Sequence, residues 1–158
     1  MSLEKYSLIG LMSGTSGDGL DLAYVHFEHQ MEWSFEIVLA KTFPFPQDLG
    51  KKLSEAHLKS GLELSQLDVD FGKWMGEQVR DFCREFEIKP MAVASHGHTV
   101  FHQPKKGLSL QIGNGWALHA ASGERIINDF RMLDVQLGGQ GAPLVPVGDK
   151  LLFPNVDF

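Results

Sequence analysis

One feature restricts this chain more than any other. A short apolar run, Tyr6 to Met12, stops at Ser13-Gly14-Thr15-Ser16-Gly17-Asp18-Gly19, and strand-like residues resume from Leu20 to Phe27. Runs this short suit strands better than helices. Three glycines within six residues permit positive φ and close backbone approach, as a tight connection requires. The pattern reads as a hairpin whose loop is residues 13 to 19. Trp33 to Leu39 then alternates, with Trp33, Phe35, Ile37 and Leu39 on one face and Ser34, Glu36 and Val38 on the other. A period of two implies a third strand.

Beyond Pro44 and Pro46 the pattern changes. Gln47 to Leu58 reads as a short helix ending near Gly61. From Leu67 to Glu87, Leu67, Phe71, Trp74, Met75, Val79, Phe82, Cys83 and Phe86 recur at spacings of three and four, the stripe of an amphipathic helix. Ser65, with Asp68 three residues on, resembles an N-terminal cap. Cys83 lies on the apolar stripe and is expected to be a core thiol rather than a nucleophile. Met91 to Ser95 reads as a buried strand delivering His96-Gly97-His98 to a sheet edge. Leu108 to Ile112 and Arg125 to Asn128 are further strands, Trp116 to Ser122 a helix closed by Gly123, and Gly138-Gly139-Gln140-Gly141 a loop. Strands first, then strands mixed with helices, define an α/β class with a mixed sheet.

Composition removes several functions. The 158 residues suit one domain or one lobe of a larger enzyme. Fourteen Lys and Arg against twenty Asp and Glu leave a net charge of −6. No basic stretch exceeds Lys51-Lys52 or Lys105-Lys106, which argues against nucleic acid as a partner. Cys83 is the sole cysteine, so no internal disulfide forms. Met1 to Tyr6 lacks the basic and apolar regions of a signal peptide. No run approaches 18 apolar residues, so no membrane partner is expected and the cytoplasm is the expected location.

Three clusters could carry chemistry. The loop from Gly14 to Gly19 combines backbone N–H groups with the hydroxyls of Thr15 and Ser16, a plausible cradle for phosphates; Asp18 and Asp21 could orient water or magnesium. It lacks the Gly-Lys-Ser/Thr ending of a Walker A loop, and a plain hairpin turn explains it equally well. His96, His98 and His102 could suggest zinc, but no further Cys or HExxH pattern completes a ligand set. Structural hydrogen bonds or substrate contact suit these histidines better. Asn128-Asp129-Phe130-Arg131 with Asp134 follows a strand, where polar residues commonly line α/β clefts. A carboxylate there could act as a general base; an N-cap or a surface ion pair between Arg131 and Asp134 is the plainer alternative.

Together these segments resemble one family. Leu11 to Asp21 is similar to the opening motif of the anhydro-N-acetylmuramic acid kinases. Ala94-Ser95-His96-Gly97-His98-Thr99-Val100-Phe101-His102 resembles their second signature. Gln111-Ile112-Gly113, Asp129-Phe130-Arg131, and Asp134 followed by Gly138 to Pro146 match further on. The resemblance implies a ribonuclease-H-like lobe of the actin, hexokinase and Hsp70 superfamily. It implies use of ATP and Mg2+ on an amino sugar, 1,6-anhydro-N-acetylmuramic acid, with hydrolytic opening of the bridge and phosphorylation of O6. On that basis Gly14, Thr15, Ser16, Gly17, Asp18, Gly19, Leu20 and Asp21 would bind ATP phosphates, and Asp134 would be the general base. His96 and Arg131 would line the sugar site. Gly17 stands where leucine is usual in the family and His98 where glutamine is usual. Residues 1–158 would form the N-terminal lobe, with a second lobe outside this sequence, so the chain alone is expected to be nearly inactive. A homodimer is compatible with the resemblance. The competing expectation is a nucleotide-fold domain used for binding or assembly without catalysis.

Overall fold

The computed structural model describes residues 3–14 and 19–154. Strands β1 (Glu4–Ser13), β2 (Gly19–His29) and β3 (Trp33–Pro44) come first, then helices α1 (Gln47–Ser54) and α2 (Gly61–Glu85). Strand β4 (Ala92–Ser95) precedes a hairpin of β5 (His98–Gln103) and β6 (Leu108–Ile112). Helix α3 (Gly115–Ser122), strand β7 (Ile126–Asn128), and helices α4 (Met132–Gln136) and α5 (Val145–Leu152) complete the order.

The expected hairpin is present. β1 pairs antiparallel with β2 from Glu4↔His29 to Ser13↔Leu20, with Gly14 following β1 and Gly19 opening β2. β3 adds antiparallel to β2, while β4 joins the other side of β1 in parallel and β7 joins β4 in parallel. The five-stranded order is β3-β2-β1-β4-β7. This mixed sheet with flanking helices is the layout expected of a ribonuclease-H-like lobe. β5 and β6 form a separate two-stranded sheet.

α2 supplies the stripe that covers one face of the sheet. Phe71, Met75, Val79 and Phe82 are buried together with Ile9, Leu20, Leu22 and Val93. Burying each such side chain contributes roughly 1.5–3 kcal/mol, so this contact dominates the lobe's stability. Cys83 is half-buried against the same cluster, and desolvation, reinforced by Glu124, raises its thiol pKa to about 11. Such a thiol is a weak nucleophile at neutral pH.

Two details of the sequence reading change. The helix begins at Gly61, not near Leu67: Ser60 is its cap, accepting from the Glu63 N–H, and Glu63 reaches back to the Ser60 N–H. This reciprocal capping box satisfies two otherwise orphaned donors. Asp68 is no capping partner; it accepts from the Gly113 N–H and the Asn114 side chain and so fastens α2 to the start of α3. The second change concerns β3. A register shift opposite Tyr24/Val25 pairs Ile37 with Val25 but Leu39 with Tyr24. Because neighbouring residues on a strand face opposite ways, Ile37 and Leu39 lie on opposite faces. Leu39 and Phe43 pack on the core, while Phe35 lies tilted beside Phe27 and meets Phe153 edge-on across the other face.

Candidate active site

β1, β4 and β7 run parallel, so their carboxyl ends share one edge of the sheet. Ser13 ends β1, Ser95 ends β4 and Asn128 ends β7. In α/β sheets this edge is where ligands bind. Three segments far apart in the chain, ending at Ser13, Ser95 and Asn128, thus meet where the sequence placed its polar clusters.

Ser13 and His98 are both buried, and Ser13 Oγ lies 3.0 Å from His98 Nδ1. Burial is the main force lowering the His98 pKa; the neighbouring His96 adds to it and the Leu53 carbonyl opposes it. The ring is therefore neutral at pH 7 and ties the end of β1 to the start of β5. His102 turns elsewhere, bonding Ser109 Oγ through Nδ1 at 3.1 Å.

His96 faces the other way. Its Nδ1 lies 3.0 Å from the Gly97 carbonyl, and the Arg131 Nε–H donates to its Nε2 at 2.9 Å. A carbonyl only accepts and a guanidinium only donates, so Nδ1 must carry the proton and Nε2 must be bare. Burial lowers the His96 pKa most; Gly97 opposes this, and the Arg131 charge adds to it. Hydrogen bonding and charge agree on one neutral tautomer.

Arg131 then reaches forward. Its Nη1 donates to the Gly141 carbonyl at 2.9 Å, and the Gly141 N–H donates to Asp134 Oδ2 at 2.7 Å. The sequence suggested an ion pair between Arg131 and Asp134, but the side chains are joined through Gly141 instead, with no direct salt bridge among the described residues. Asp134 itself is exposed. It stands on α4, a helix of five residues where the sequence pattern indicates no element. Burial of Val135 and a 2.8 Å bond from Gln136 Nε2 to the Gly107 carbonyl hold that turn down. A Cβ on Gly139 would overlap the Asp134 carboxylate, so a larger residue there would displace that side chain. Gly141 has φ +63°, the left-handed region that favours glycine.

Of the expected phosphate-binding residues, Thr15, Ser16, Gly17 and Asp18 lie outside the described residues. Gly14 follows the end of β1 and Gly19 begins β2. The Leu20 side chain is fully buried in the core, leaving only its backbone for any ligand. Asp21 is exposed and accepts from Thr42 Oγ1 at 2.6 Å. Ser95 Oγ, fully buried at the carboxyl end of β4, has no hydrogen-bond partner among the described residues. A large groove of about 1070 Å3 opens beside the edge, lined in part by Asp68, Trp116, Asn128, Asp129 and Met132. It includes none of His96, Arg131 or Asp134. The site is defined by strand ends and hydrogen bonds rather than by cavity size.

A mixed sheet of this order, with a glycine-rich connection and a carboxylate at its carboxyl edge, defines a lobe of the ribonuclease-H-like class. The family model for anhydro-N-acetylmuramic acid kinase matches residues 6–158. Three similar curated proteins bear that same name. The one from Pseudomonas putida is 38% identical over 154 residues, covering 94% of this chain and 41% of the relative. That from Sulfurimonas denitrificans is 36% identical over 155 residues, covering 94% and 41%. That from Haemophilus influenzae is 35% identical over 169 residues, covering 100% and 42%. The chain belongs to the anhydro-N-acetylmuramic acid kinase family and spans about two fifths of the length of these relatives.

Sequence reasoning missed the clamp on Gly141 and the buried Ser13–His98 pair. The only trace of the first was an unusual density of glycine after Asp134. The second could have been suspected from His98 standing close to the expected phosphate loop's strand only after the sheet order was known.

Proposed function

We propose that this lobe, with a second lobe supplying the rest of the cleft, is an ATP-dependent kinase for 1,6-anhydro-N-acetylmuramic acid. The observation that carries the reading is the Asp134 carboxylate, oriented at the carboxyl edge by Gly141 and otherwise open to solvent. In this reading Asp134 takes one proton from a water molecule as the water oxygen bonds the anomeric carbon. The C1–O6 bond breaks, and O6 leaves with the electron pair. O6 would then bond the γ-phosphorus of ATP as the bond to the ADP oxygen breaks, giving N-acetylmuramic acid 6-phosphate and ADP. General-base assistance of this kind contributes typically 10²- to 10⁴-fold.

The residues at the edge fit a nucleotide. Ser95 Oγ is an unsatisfied buried hydroxyl of the kind a bound polar ligand or water completes. Gly14 to Asp21 would hold the phosphates, and Asp18 and Asp21 would be the carboxylates available to orient water or Mg2+. Bound ATP and Mg2+ would supply the phosphoryl group and neutralise its charge. The cytoplasm is the proposed location; no helix among the described residues is long and apolar enough to cross a membrane.

The test is ADP release by the whole protein, second lobe included. ADP should form in step with sugar 6-phosphate and only when the anhydro sugar is present. ATP binding without sugar-dependent ADP release would sink the kinase reading and favour a non-catalytic nucleotide-binding domain. The 158-residue chain alone should bind without turnover.

A further inference from the structure

We propose that the sheet face opposite α2 is a docking surface for a helix of this same chain from beyond residue 158, part of the second lobe. The proposal rests on the reading that such a lobe exists, and on nothing about its catalysis. Side chains alternate along each strand, so the residues between the core positions share the other face. On β1 these are Leu8, Gly10 and Met12, paired in register with Val25, Ala23 and Asp21 of β2. Ile37 and Ala40 of β3 extend the face on one side, Ala94 of β4 and Ile127 of β7 on the other.

The two faces are finished to different degrees. Against α2, Ile9, Leu11, Leu22 and Val93 are buried. On the opposite face Ile37 is 57% exposed, Met12 47% and Ile127 46%. A Cβ added to Gly10, on the central strand, would meet no atom within 4 Å. α5 lies over one end only. Phe153, just past it, meets Phe35 there. A cleft of about 310 Å3 remains between Tyr6, Leu8, Phe27 and Trp33 of the sheet and Leu151 and Leu152 of α5. Parallel strands such as β1, β4 and β7 are normally covered on both faces. An apolar patch that continues across a sheet marks an interaction surface.

Geometry limits the occupant. A sheet face, unlike an edge, offers no free backbone partners. An element lying on it must satisfy its own N–H and C=O groups, as a helix does. Five strands spaced about 4.8 Å apart make a face roughly 19 Å wide, which a helix of about 13 residues crosses. The small side chains of Ala40, Ala23, Gly10 and Ala94 let it approach closely. Asp21 and Thr42, bonded to each other, mark the rim where the apolar surface ends. The same chain is the favoured source. It covers 41% of the Pseudomonas putida relative, so more than half of such a protein lies outside these residues. α5 already brings the chain onto this face, and a tethered segment docks at high effective concentration, whereas a separate partner gives up its translational freedom.

The test uses the whole protein and needs no turnover. A thiol reagent is applied to Ala23→Cys and Ile37→Cys, with Ser54→Cys on the exposed side of α1 as the reference, and each site is read by peptide mass. Labelling at both face positions should be at least about 100-fold slower than at the reference. That protection should survive about a hundred-fold dilution. A photo-crosslinking residue in place of Ala40 should join, in a species of single-chain mass, to a residue numbered beyond 158. Labelling as fast as the reference overturns the proposal. So does protection lost on dilution, or a cross-link that joins two chains or stays within residues 1–158. Ile37→Cys, on an edge strand, keeps the test decisive if Ala23→Cys fails to fold. The two readings fail separately. Protection without sugar-dependent ADP release leaves the docking surface and removes the kinase; ADP release with a freely labelled face does the reverse.

Discussion

The two ends of this site are built differently. Ser13 and His98, at the root of the hairpin, are both buried and bonded to each other above a closed core. Asp134, at the other end, is exposed on a five-residue helix and depends on one 2.7 Å bond to a glycine N–H. Position at the first end comes with folding itself. Position at the second end comes from a few hydrogen bonds laid over an otherwise open surface. The contrast suits the proposed division of labour: a fixed floor under the phosphates, and a carboxylate that water and sugar can reach.

The sharpest way to break this contrast is to compare stability on the two sides. Phe71→Ala, in the core beneath the hairpin root, should cost about 3–5 kcal/mol in urea unfolding. Leu133→Ala, beside Asp134 and 71% exposed, should cost no more than about 0.5 kcal/mol. Equal losses would mean that α4 is as much part of the core as α2.

His98→Leu comes next. It leaves the Ser13 hydroxyl buried and unpaired, for an expected cost of about 1–3 kcal/mol. A double variant that also carries Ser13→Ala should recover part of this, because both polar partners are then gone. No recovery would mean that the pair contributes nothing beyond packing.

Gly139→Ala is expected to do the opposite. A Cβ there collides with the Asp134 carboxylate, so the loop and the carboxylate must part. Turnover of the whole protein should fall about 10- to 100-fold with only a modest shift in melting temperature. Unchanged turnover would show that the carboxylate is free to settle elsewhere and still work.

The pH dependence of stability gives a smaller effect. The folded pKa values of His96 and His98 lie below the ordinary 6.5, mainly through burial. Between those lowered values and 6.5 the unfolded chain binds more protons than the folded one. Stability should therefore be complete above about pH 6.5 and decline as pH falls through that window. His98→Gln should flatten the decline in urea midpoints measured from pH 7.5 to 5; an unaltered slope would assign the effect to other groups. The smallest effect belongs to Ser95→Ala. Removing a buried hydroxyl that has no partner should leave stability within about 1 kcal/mol or raise it slightly.

Much of the sheet was legible because strand periodicity is local. The hairpin, the strand delivering His96, and the strand ending at Asn128 all follow from short apolar runs between turn residues. The β3 bulge was not legible: it adds no unusual residue, and only pairing with β2 shows that Ile37 and Leu39 part company. α2 was found but started six residues late, because Ser60 and Glu63 form a better capping pair than Ser65 and Asp68. α4 was missed because five residues are too few for a periodic signal, and tertiary contacts at Val135 and Gln136 hold it. At the site, the chemical types were legible and their connections were not. His96 and Arg131 are 35 residues apart, and nothing local in either segment reports that one donates to the other.

In the proposed reading, Asp134 acts as a base at an edge whose nucleotide side is built independently of it. The most direct measurement sets sugar-dependent ADP release beside ATP affinity in Asp134→Asn of the whole protein. Turnover should fall at least about 100-fold, with the ATP dissociation constant within a few-fold of wild type. Wild-type turnover in that variant would contradict it.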